Sequence, residues 1–178
     1  MTQVTIQAPR NPMQRPRIEK VVVNICTGKS GEPLQRAMDV LQQITGHRAC
    51  QRKAKRTVRD WGVRQGEPIA CMVSLRRETA RAFLKKALDA NGNRLKKSSF
   101  DDKGNFSFGI REHIQIAGVR YDPAVGIFGM DVCATMGKGG YRVKKRRYLT
   151  SHVGKAQLLT PEESINYLKE SFGIEVVE

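Results

Sequence analysis

The chain combines two periods of hydrophobic residues, one typical of strands and one typical of helices. Apolar and polar residues alternate in residues 17–26, 69–76 and 127–136, and this period of two predicts three β-strands. Apolar residues follow the helical period in three other stretches, which begin at Ser30, Glu78 and Thr160 and end at Gly46, Asn91 and Gly173. The mixture of strands and helices predicts an α+β fold.

The predicted strands carry polar residues on one face. In residues 17–26, Val21, Val23 and Ile25 point to one side, and Lys20 and Asn24 point to the other. In residues 69–76, Ser74 and Arg76 share the side opposite the apolar residues. A mainly antiparallel sheet with helices packed on one face leaves its other face open. We therefore predict a two-layer fold with Asn24, Ser74 and Arg76 on an open face.

Three further segments complete the predicted organisation. Residues 1–16 contain three prolines and little periodicity, which predicts an extended N-terminal arm. Residues 137–149 are rich in glycine and basic residues and predict a loop that becomes ordered when a ligand binds. Residues 174–177 predict a short edge strand. No repeat or linker divides the chain, so we predict one domain over residues 1–178.

Basic residues greatly outnumber acidic ones. The sequence has 32 Lys and Arg against 17 Asp and Glu, a net charge of +15. Such an excess of like charge favours a polyanionic partner. Nucleic acid is favoured over a membrane surface, because no strongly amphipathic basic helix is visible. Aromatic residues are only 6% of the chain, so folded RNA is favoured over a single strand stacked on aromatic rings.

Two segments concentrate the cations. We call residues 51–64 the basic arm and residues 137–149 the glycine-rich segment. The arm is followed by a turn signal, Gln65-Gly66-Glu67-Pro68, which predicts a hairpin onto the next strand. Acids are nearly absent from both segments, so the cations are expected to lack partners within the chain and to bind phosphate. These cations are Arg52, Lys53, Lys55, Arg56, Arg59 and Arg64 in the arm, and Lys138, Arg142, Lys144, Lys145, Arg146 and Arg147 in the glycine-rich segment.

The cysteines and the lack of long hydrophobic stretches indicate where in the cell the protein is found. Cys26, Cys50, Cys71 and Cys133 form no CxxC pair, and three of them lie in or next to apolar strands, where cysteine acts as a small hydrophobic residue. This pattern favours a reducing, cytoplasmic setting and neither zinc nor disulfides. No signal core or stretch of membrane-spanning length is visible, so no membrane association is predicted.

Motifs for catalysis and for metal binding are incomplete. Gly28-Lys29-Ser30 lies between a strand and a helix, but Val23 stands where a P-loop requires glycine. Residues 101–112 have the length of a calcium loop, but Lys103 occupies a ligand position. His47, His113 and His152 form no HxxxH pair. We predict no catalytic residue, no metal and no cofactor. A basic RNA-modifying or nucleotide-dependent RNA factor is the alternative, and a DNA-binding module is a third possibility.

Four strings of the sequence resemble the L5 family of large-subunit ribosomal proteins. They are NPMQRPRIEKVVVNICTGKSG, TGHRACQRKAKRTVRDWGVRQGEPIACMVSLR, FDDKGNFSFGIREHI and YDPAVGIFGMDV, in that order. The resemblance covers nearly the whole chain. The short segment before the first strand, with Asn11-Pro12-Met13, resembles the archaeal type.

The resemblance implies a non-catalytic component of the ribosome. Members of the family bind 5S rRNA in the central protuberance beside an L18-type protein, contact P-site tRNA, and join a bridge to the small-subunit head. A contact with 23S rRNA is also expected. By position in the motifs, the tRNA-contacting loop is residues 51–61, with Arg52, Lys53, Lys55, Arg56 and Arg59 as its cations. The 5S rRNA contacts are Asn24, His47, Ser74 and Arg76.

Three positions depart from the family pattern. His47 stands where the family usually has glutamine, and imidazole replaces only part of the hydrogen bonding of an amide. Ser74 replaces a usual threonine and keeps the hydroxyl group. Arg77 replaces a usual glycine after the strand and adds a cation.

Overall fold

The computed structural model describes residues 11–119, 123 and 126–177. Its strands are β1 (Arg17–Cys26), β2 (Cys50–Lys53), β3 (Pro68–Leu75), β4 (Arg94–Lys96), β5 (Phe106–Ile110), β6 (Met130–Gly137) and β7 (Glu175–Val177). Its α-helices are α1 (Glu32–Thr45), α2 (Arg77–Ala90), α3 (Arg142–Lys145) and α4 (Pro161–Phe172). Single 3-10 turns lie at Pro12–Gln14, Lys97–Ser99, His113–Gln115 and Lys155–Gln157.

The main sheet is antiparallel throughout. It has five strands in the order β2-β3-β1-β6-β5, and every neighbouring pair runs antiparallel. The strands β4 and β7 form a separate parallel pair. The predicted α+β class with a mainly antiparallel sheet is confirmed. The short strand predicted near the C-terminus exists as β7, but it pairs with β4 and not with the main sheet.

One face of the sheet forms the hydrophobic core. Val21, Val23 and Ile25 of β1 are buried at its centre, in contact with the apolar residues of β3 and β6. The helix α2 buries the whole of its predicted apolar stripe, which is Ala80, Phe83, Leu84, Ala87 and Leu88. Burying a large aliphatic or aromatic side chain contributes roughly 1.5–3 kcal/mol, so this interface holds the helical layer on the sheet.

The signals at the helix ends explain where the helices begin and end. The helix α1 ends at Gly46, which has φ +69°, a conformation that glycine adopts without strain. The helix α4 begins with a capping box, in which the Thr160 hydroxyl accepts from the Glu163 amide and the Glu163 carboxylate accepts from the Thr160 amide. The predicted start of α1 was early, because Gly31 is the N-cap and the Ser30 hydroxyl donates to Glu67 at 2.7 Å.

Two predicted boundaries differ from the structure. The strand β6 begins at Met130 and not at residue 127, because Phe128 exchanges hydrogen bonds with the backbone and ring of His113. The chain of the basic arm reverses direction at residues 59–62, between Val58 and Val63, which form an isolated antiparallel β-bridge. The predicted turn at Gln65-Gly66-Glu67-Pro68 is the point where the arm returns to β3.

The N-terminal part of the described chain packs against the glycine-rich segment. The carbonyl group of Met13 accepts hydrogen bonds from the Gly139 amide at 2.9 Å and from the Gln157 side chain at 3.1 Å. The extended arm was predicted over residues 1–16, of which residues 1–10 lie outside the described residues and residues 12–14 form a 3-10 turn. No helix in the described ranges is long and apolar enough to cross a membrane.

Candidate RNA-binding surfaces

The open face of the sheet brings together two predicted contact residues. Asn24 on β1 lies opposite Met72 on β3 and Asp131 on β6. One pair further along, Val22 lies opposite Ser74 and Cys133. Because directly opposite residues of an antiparallel pair share a face, Asn24 and Ser74 are close neighbours on the face away from the core. Ser74 is exposed and Asn24 is half-buried.

The sheet face also has a shallow depression beside Asn24. Its cavity of about 380 Å³ lies against Asn24 and Cys26 of β1, Gly109 of β5, and Arg111 and Asp131 near the β5–β6 edge. Amide, carboxylate and guanidinium groups therefore meet at one place on this face, which also carries Lys20 of β1 and Arg52 of β2. Such a mixture presents hydrogen-bond donors and acceptors of the kind that contact base edges and ribose hydroxyl groups.

Arg76 and His47 lie at the margins of this face. Arg76 follows the last residue of β3 and is the exposed N-cap of α2. His47 is exposed in the turn between α1 and the edge strand β2, and its amide donates to the Thr45 hydroxyl at 3.3 Å. His47 has no paired position in the sheet, so the structure does not bring it into register with Asn24 and Ser74.

Three of the four cysteines lie on the open face, which the sequence reading missed. Cys26, Cys50 and Cys133 are exposed, and only Cys71 is buried in the core. Burial raises the pKa of the Cys71 thiol to about 11, and partial burial also raises the pKa of Cys133. The signal was available, because Cys26 has the same strand parity as Asn24 and Cys133 has the same parity as Asp131.

The basic arm is a hairpin held at two points. At its base, the Ala54 amide donates to the Glu67 carbonyl at 2.8 Å and the Gly66 amide donates to the Ala54 carbonyl at 2.9 Å. Nearer the tip, Val58 and Val63 exchange backbone hydrogen bonds of 2.9 and 3.1 Å. Ala54 and Val63 are buried. The arm therefore projects from the sheet as a defined loop with an apolar inner side.

Glu67 ties the base of the arm to the rest of the protein. Its carboxylate accepts from the Ser30 hydroxyl at 2.7 Å and from the Arg64 amide at 3.1 Å. These two hydrogen bonds, with the Ser30 bond the larger cause, hold the pKa of Glu67 below its usual value. The ionised carboxylate thus fixes the arm relative to the loop before α1.

The cations of the basic arm are exposed and unpaired within the described chain. This holds for Arg52, Lys53, Lys55, Arg56 and Arg59, none of which has a carboxylate of the described residues within ion-pair distance. Trp61 lies beside them at the tip, with 79% of its surface exposed. An exposed indole next to unpaired guanidinium groups is typical of a surface that contacts nucleic acid.

The glycine-rich segment behaves differently, and one prediction about it is wrong. Its cations were expected to lack partners within the chain, but Lys138 is buried and lies 2.7 Å from the Glu163 carboxylate. Its ammonium group also donates to the Leu158 carbonyl at 3.3 Å. Lys145 forms an ion pair with Glu19 of β1. Distant acids, which a local reading of charge does not see, supply these partners.

The second half of the glycine-rich segment, residues 144–149, is exposed. The segment contains the short helix α3, where a loop was predicted, and the Ser151 amide donates to the Val143 carbonyl at 3.2 Å. Its remaining cations, Arg142, Lys144, Arg146 and Arg147, are exposed. Because Lys138 is buried in an ion pair with Glu163, we do not include it among the proposed phosphate contacts.

The motif resembling part of a P-loop is used by the fold itself. The amides of Thr27 and Gly28 both donate to the Ile69 carbonyl, at 3.0 and 3.2 Å. The Gly28 amide is therefore not available to a nucleotide phosphate, and the structure gives no support to the nucleotide-dependent alternative. Among the histidines, His113 is buried, and desolvation lowers its pKa. Within the described ranges, no group of three or more His, Cys, Asp or Glu residues could hold a metal ion.

An uncovered antiparallel face beside two cationic surfaces is typical of proteins that bind a polyanion. Comparison with known proteins identifies the family to which the chain belongs. Residues 11–64 match the family model described as Ribosomal protein L5, and residues 68–176 match the model that describes the C-terminus of the same ribosomal family. The chain belongs to the ribosomal protein L5 family, whose members are non-enzymatic components of the large ribosomal subunit in the cytoplasm.

Curated relatives match over nearly their full length. The large ribosomal subunit protein uL5 of Pyrobaculum aerophilum is 54% identical, with 93% of each chain covered. The uL5 protein of Aeropyrum pernix is 55% identical and covers 94% of this chain and 88% of its own. The uL5 protein of Nitrosopumilus maritimus is 44% identical and covers 96% and 98%. The archaeal-type resemblance is confirmed by these archaeal relatives.

The two family models meet inside the fold. Their boundary lies between residues 64 and 68, where the basic arm returns to β3. The strands β1 and β2 belong to the first match and β3, β5 and β6 to the second, yet all five form one sheet. The buried residues of both parts form a single core cluster. This arrangement supports the proposal of one domain over the chain.

Proposed function

We propose that this protein binds 5S rRNA in the central protuberance of the large subunit through the open face of its sheet. The single observation that carries the proposal is the register that places Asn24 and Ser74 on one uncovered face. Arg76 lies at the margin of that face and supplies a cation. His47 lies beside the edge strand and is a peripheral contact. The 23S rRNA and an L18-type protein are the proposed neighbours of this complex.

The composition of the open face supports recognition of folded RNA. The face offers amide, hydroxyl and thiol groups together with the cations of Lys20 and Arg52, and Arg76 lies at its margin. Backbone phosphates contribute most of the affinity, whereas neutral polar groups that meet sugars and base edges contribute specificity. The residues paired beside Asn24 and Ser74 in the sheet, which are Val22, Met72, Asp131 and Cys133, include no aromatic residue. A sheet face of this kind favours a helical surface of RNA over a stacked single strand.

The exposed cysteines allow a direct test of this surface. Alkylation with N-ethylmaleimide, read by mass spectrometry, is expected to modify the exposed Cys26 and Cys133 in the free protein, Cys133 more slowly because partial burial raises its pKa. Bound 5S rRNA is expected to slow both reactions at least tenfold, because RNA covers the open face. Cys71 is buried with a raised pKa and should remain unreactive in both samples, which provides an internal control for folding.

Specificity is controlled with another folded RNA. At the same salt concentration, an unrelated structured RNA of similar length should protect Cys26 and Cys133 much less than 5S rRNA does. Equal alkylation rates with and without saturating 5S rRNA would contradict the proposal that the open face is the binding surface.

We further propose that the basic arm contacts P-site tRNA. The arm projects from the edge strand β2, and its exposed cations lie apart from the central β1 residues of the open face. The exposed Trp61 gives the tip an apolar surface that lacks a packing partner in the described chain. We also propose that the protein takes part in a bridge to the head of the small subunit.

A triple variant tests this division of surfaces. Changing Lys53, Lys55 and Arg56 to Ala is expected to weaken retention of P-site tRNA by large subunits and to leave 5S rRNA binding unchanged. If each cation meets one phosphate, the slope of log affinity against log salt for tRNA falls by up to about 2.7, since each contact contributes about 0.9.

The matched control removes the same charge elsewhere. Lys85, Lys86 and Lys97 are exposed cations, two of them on α2, which packs on the opposite face of the sheet. Changing these three to Ala should alter neither tRNA retention nor the salt slope. An equal loss of 5S rRNA and tRNA binding in the arm variant would show that the two surfaces are not separate.

A further inference from the structure

A cationic cleft lies at the end of the sheet where β1 begins and β3 ends. Its volume is about 670 Å³, and it is bounded by residues 16–19, the first turns of α2, the short helix α3 and Tyr167 of α4. Arg76, which borders the open face, is also part of its wall. The cleft and the open face are therefore neighbouring surfaces.

The charge of this cleft is strongly unbalanced. Six cations line it, Arg17, Arg76, Arg77, Arg81, Arg142 and Lys145, against two carboxylates, Glu19 and Glu78. Glu19 is paired with Lys145, and Arg81 donates to the Tyr167 hydroxyl at 3.3 Å. The guanidinium groups of Arg17, Arg76, Arg77 and Arg142 have no ion-pair partner in the part of the chain that the structure describes.

The start of α2 adds to the preference of the cleft for an anion. Arg76 is its N-cap and forms no side-chain capping hydrogen bond. The Thr79 hydroxyl donates back to the Arg76 carbonyl at 2.7 Å and so does not cap the helix amides. The first amide groups of a helix of this length carry partial positive charge, and the residues at this helix start, Arg76, Arg77 and Glu78, line the cleft.

Arg77 occupies a backbone conformation that disfavours it. Its φ is +54°, in the left-handed region that L-residues with a side chain adopt only at a cost in energy and that glycine adopts freely. Strain of this kind persists where the surrounding structure and the function require it. At this position the side chain that brings the strain is also one that lines the cleft.

We propose that the cleft binds the sugar-phosphate backbone of the 5S rRNA strand that leaves the open face. The inference rests on the proposed function, because it extends the same RNA past Arg76 and over the end of the sheet. Arg77 and Arg142 contact its phosphates, and arginine suits this role because its planar fork donates two parallel hydrogen bonds to phosphate oxygens. Arg17 and Arg76 supply further positive charge beside them.

Replacement of Arg77 by glycine gives a test that unfolding does not confound. Arg77→Gly removes the cation and also the strained side chain, so its Tm should equal or exceed that of the parent. Its affinity for 5S rRNA should fall roughly tenfold at 0.1 M salt, and the log–log salt slope should decrease by about 0.9. Arg77→Lys keeps a cation on the same backbone and should restore most of the slope.

A second site and a control complete the experiment. Arg142→Ala, which lies in the exposed helix α3, should lower the slope by about the same amount, and the Arg77→Gly/Arg142→Ala pair by about 1.8. Lys86→Ala carries the same loss of charge on the exposed side of α2 and should leave the slope unchanged.

The outcomes separate this inference from the proposed function. If the parent protein binds 5S rRNA and both arginine variants match Lys86→Ala in affinity and slope, the cleft does not bind that RNA and the open-face proposal stands. If the parent itself fails to bind 5S rRNA, the proposed function is wrong and the cleft proposal is wrong with it. A slope reduced in Arg77→Gly and recovered in Arg77→Lys supports the cleft.

Discussion

The basic arm and the glycine-rich segment look alike in sequence and differ in the fold. Both are short, basic and almost free of acids. The arm projects as a hairpin whose cations are exposed and unpaired within the described chain. The glycine-rich segment instead lies against the body of the protein, with Lys138 buried against Glu163 and Lys145 paired with Glu19.

This difference shows that a run of cations predicts function only after its partners are known. Glu19 precedes Lys145 by 126 residues and Glu163 follows Lys138 by 25 residues, so neither acid is visible within the segment. Two of the six cations of the glycine-rich segment hold the fold together, and four remain available to RNA. At the base of the arm, the Glu67 carboxylate accepts from the Ser30 hydroxyl and the Arg64 amide, and it has no cation of the described residues within ion-pair distance.

The largest effect that would test this comparison is expected at Lys138. Lys138→Met removes a buried ammonium group and leaves the partly buried Glu163 carboxylate without its partner. Loss of one member of a buried ion pair costs several kcal/mol, and the partial exposure of Glu163 reduces this, so we expect the free energy of unfolding to fall by about 2 kcal/mol. Urea denaturation measures the change.

The control for Lys138 is an exposed lysine of the same segment. Lys144→Ala should change the free energy of unfolding by less than about 0.5 kcal/mol. RNA binding by folded Lys138→Met should show the salt slope of the parent. A reduced slope with unchanged stability would mean that Lys138 contacts RNA and that the arrangement described for this segment is wrong.

A smaller loss of stability is expected when the second ion pair of the glycine-rich segment, between Lys145 and Glu19, is broken. Lys145→Ala breaks the ion pair with Glu19, in which the lysine is 56% exposed and the carboxylate 15% exposed. Partly exposed pairs contribute little, so the free energy of unfolding should fall by about 1 kcal/mol at most. Three changes in the basic arm, at Lys53, Lys55 and Arg56, should by contrast leave stability nearly unchanged. A larger loss from the arm changes than from Lys145→Ala would reverse the comparison.

The sequence predicted the elements better than it predicted their partners. The α2 stripe and the capping box of α4 depend on residues only a few positions apart, and local patterns therefore locate them. Strand parity also placed Asn24 and Ser74 on one face. The pairing of β7 with β4, and the docking of Met13 on Gly139, join distant parts of the chain and leave no local pattern.

The cleft shows the same limit for the candidate site. Its cations come from β1, α2 and α3, far apart in sequence, and only the fold brings them together. Arg77 was noticed as a departure from the family pattern, but its positive φ is a property of the structure. The exposed cysteines were a different kind of omission, because the parity that placed Asn24 also places Cys26.

The smallest expected effect concerns Glu67. It tests whether the carboxylate of Glu67 helps to hold the base of the basic arm, or whether backbone hydrogen bonds hold it alone. Its pKa in the folded protein lies below the usual 4.5, first because of the Ser30 hydrogen bond and then because of the Arg64 amide. A carboxyl group with a lowered pKa stabilises the fold fully above its unfolded pKa, and this contribution is lost as the pH falls through the folded value. The Arg64 amide resonance should therefore titrate with a midpoint below 4.5.

The variant Glu67→Gln separates the charge of this carboxylate from its shape. Its amide oxygen still accepts from Ser30, but the side chain does not titrate, so the acid transition of the Arg64 amide should disappear. The amides of Val58 and Val63, which bond each other nearer the tip, should show no such transition in either protein. If the Arg64 amide of the parent titrates at or above 4.5, the carboxylate is not stabilised by its hydrogen bonds, and the arm is held at its base by the backbone alone.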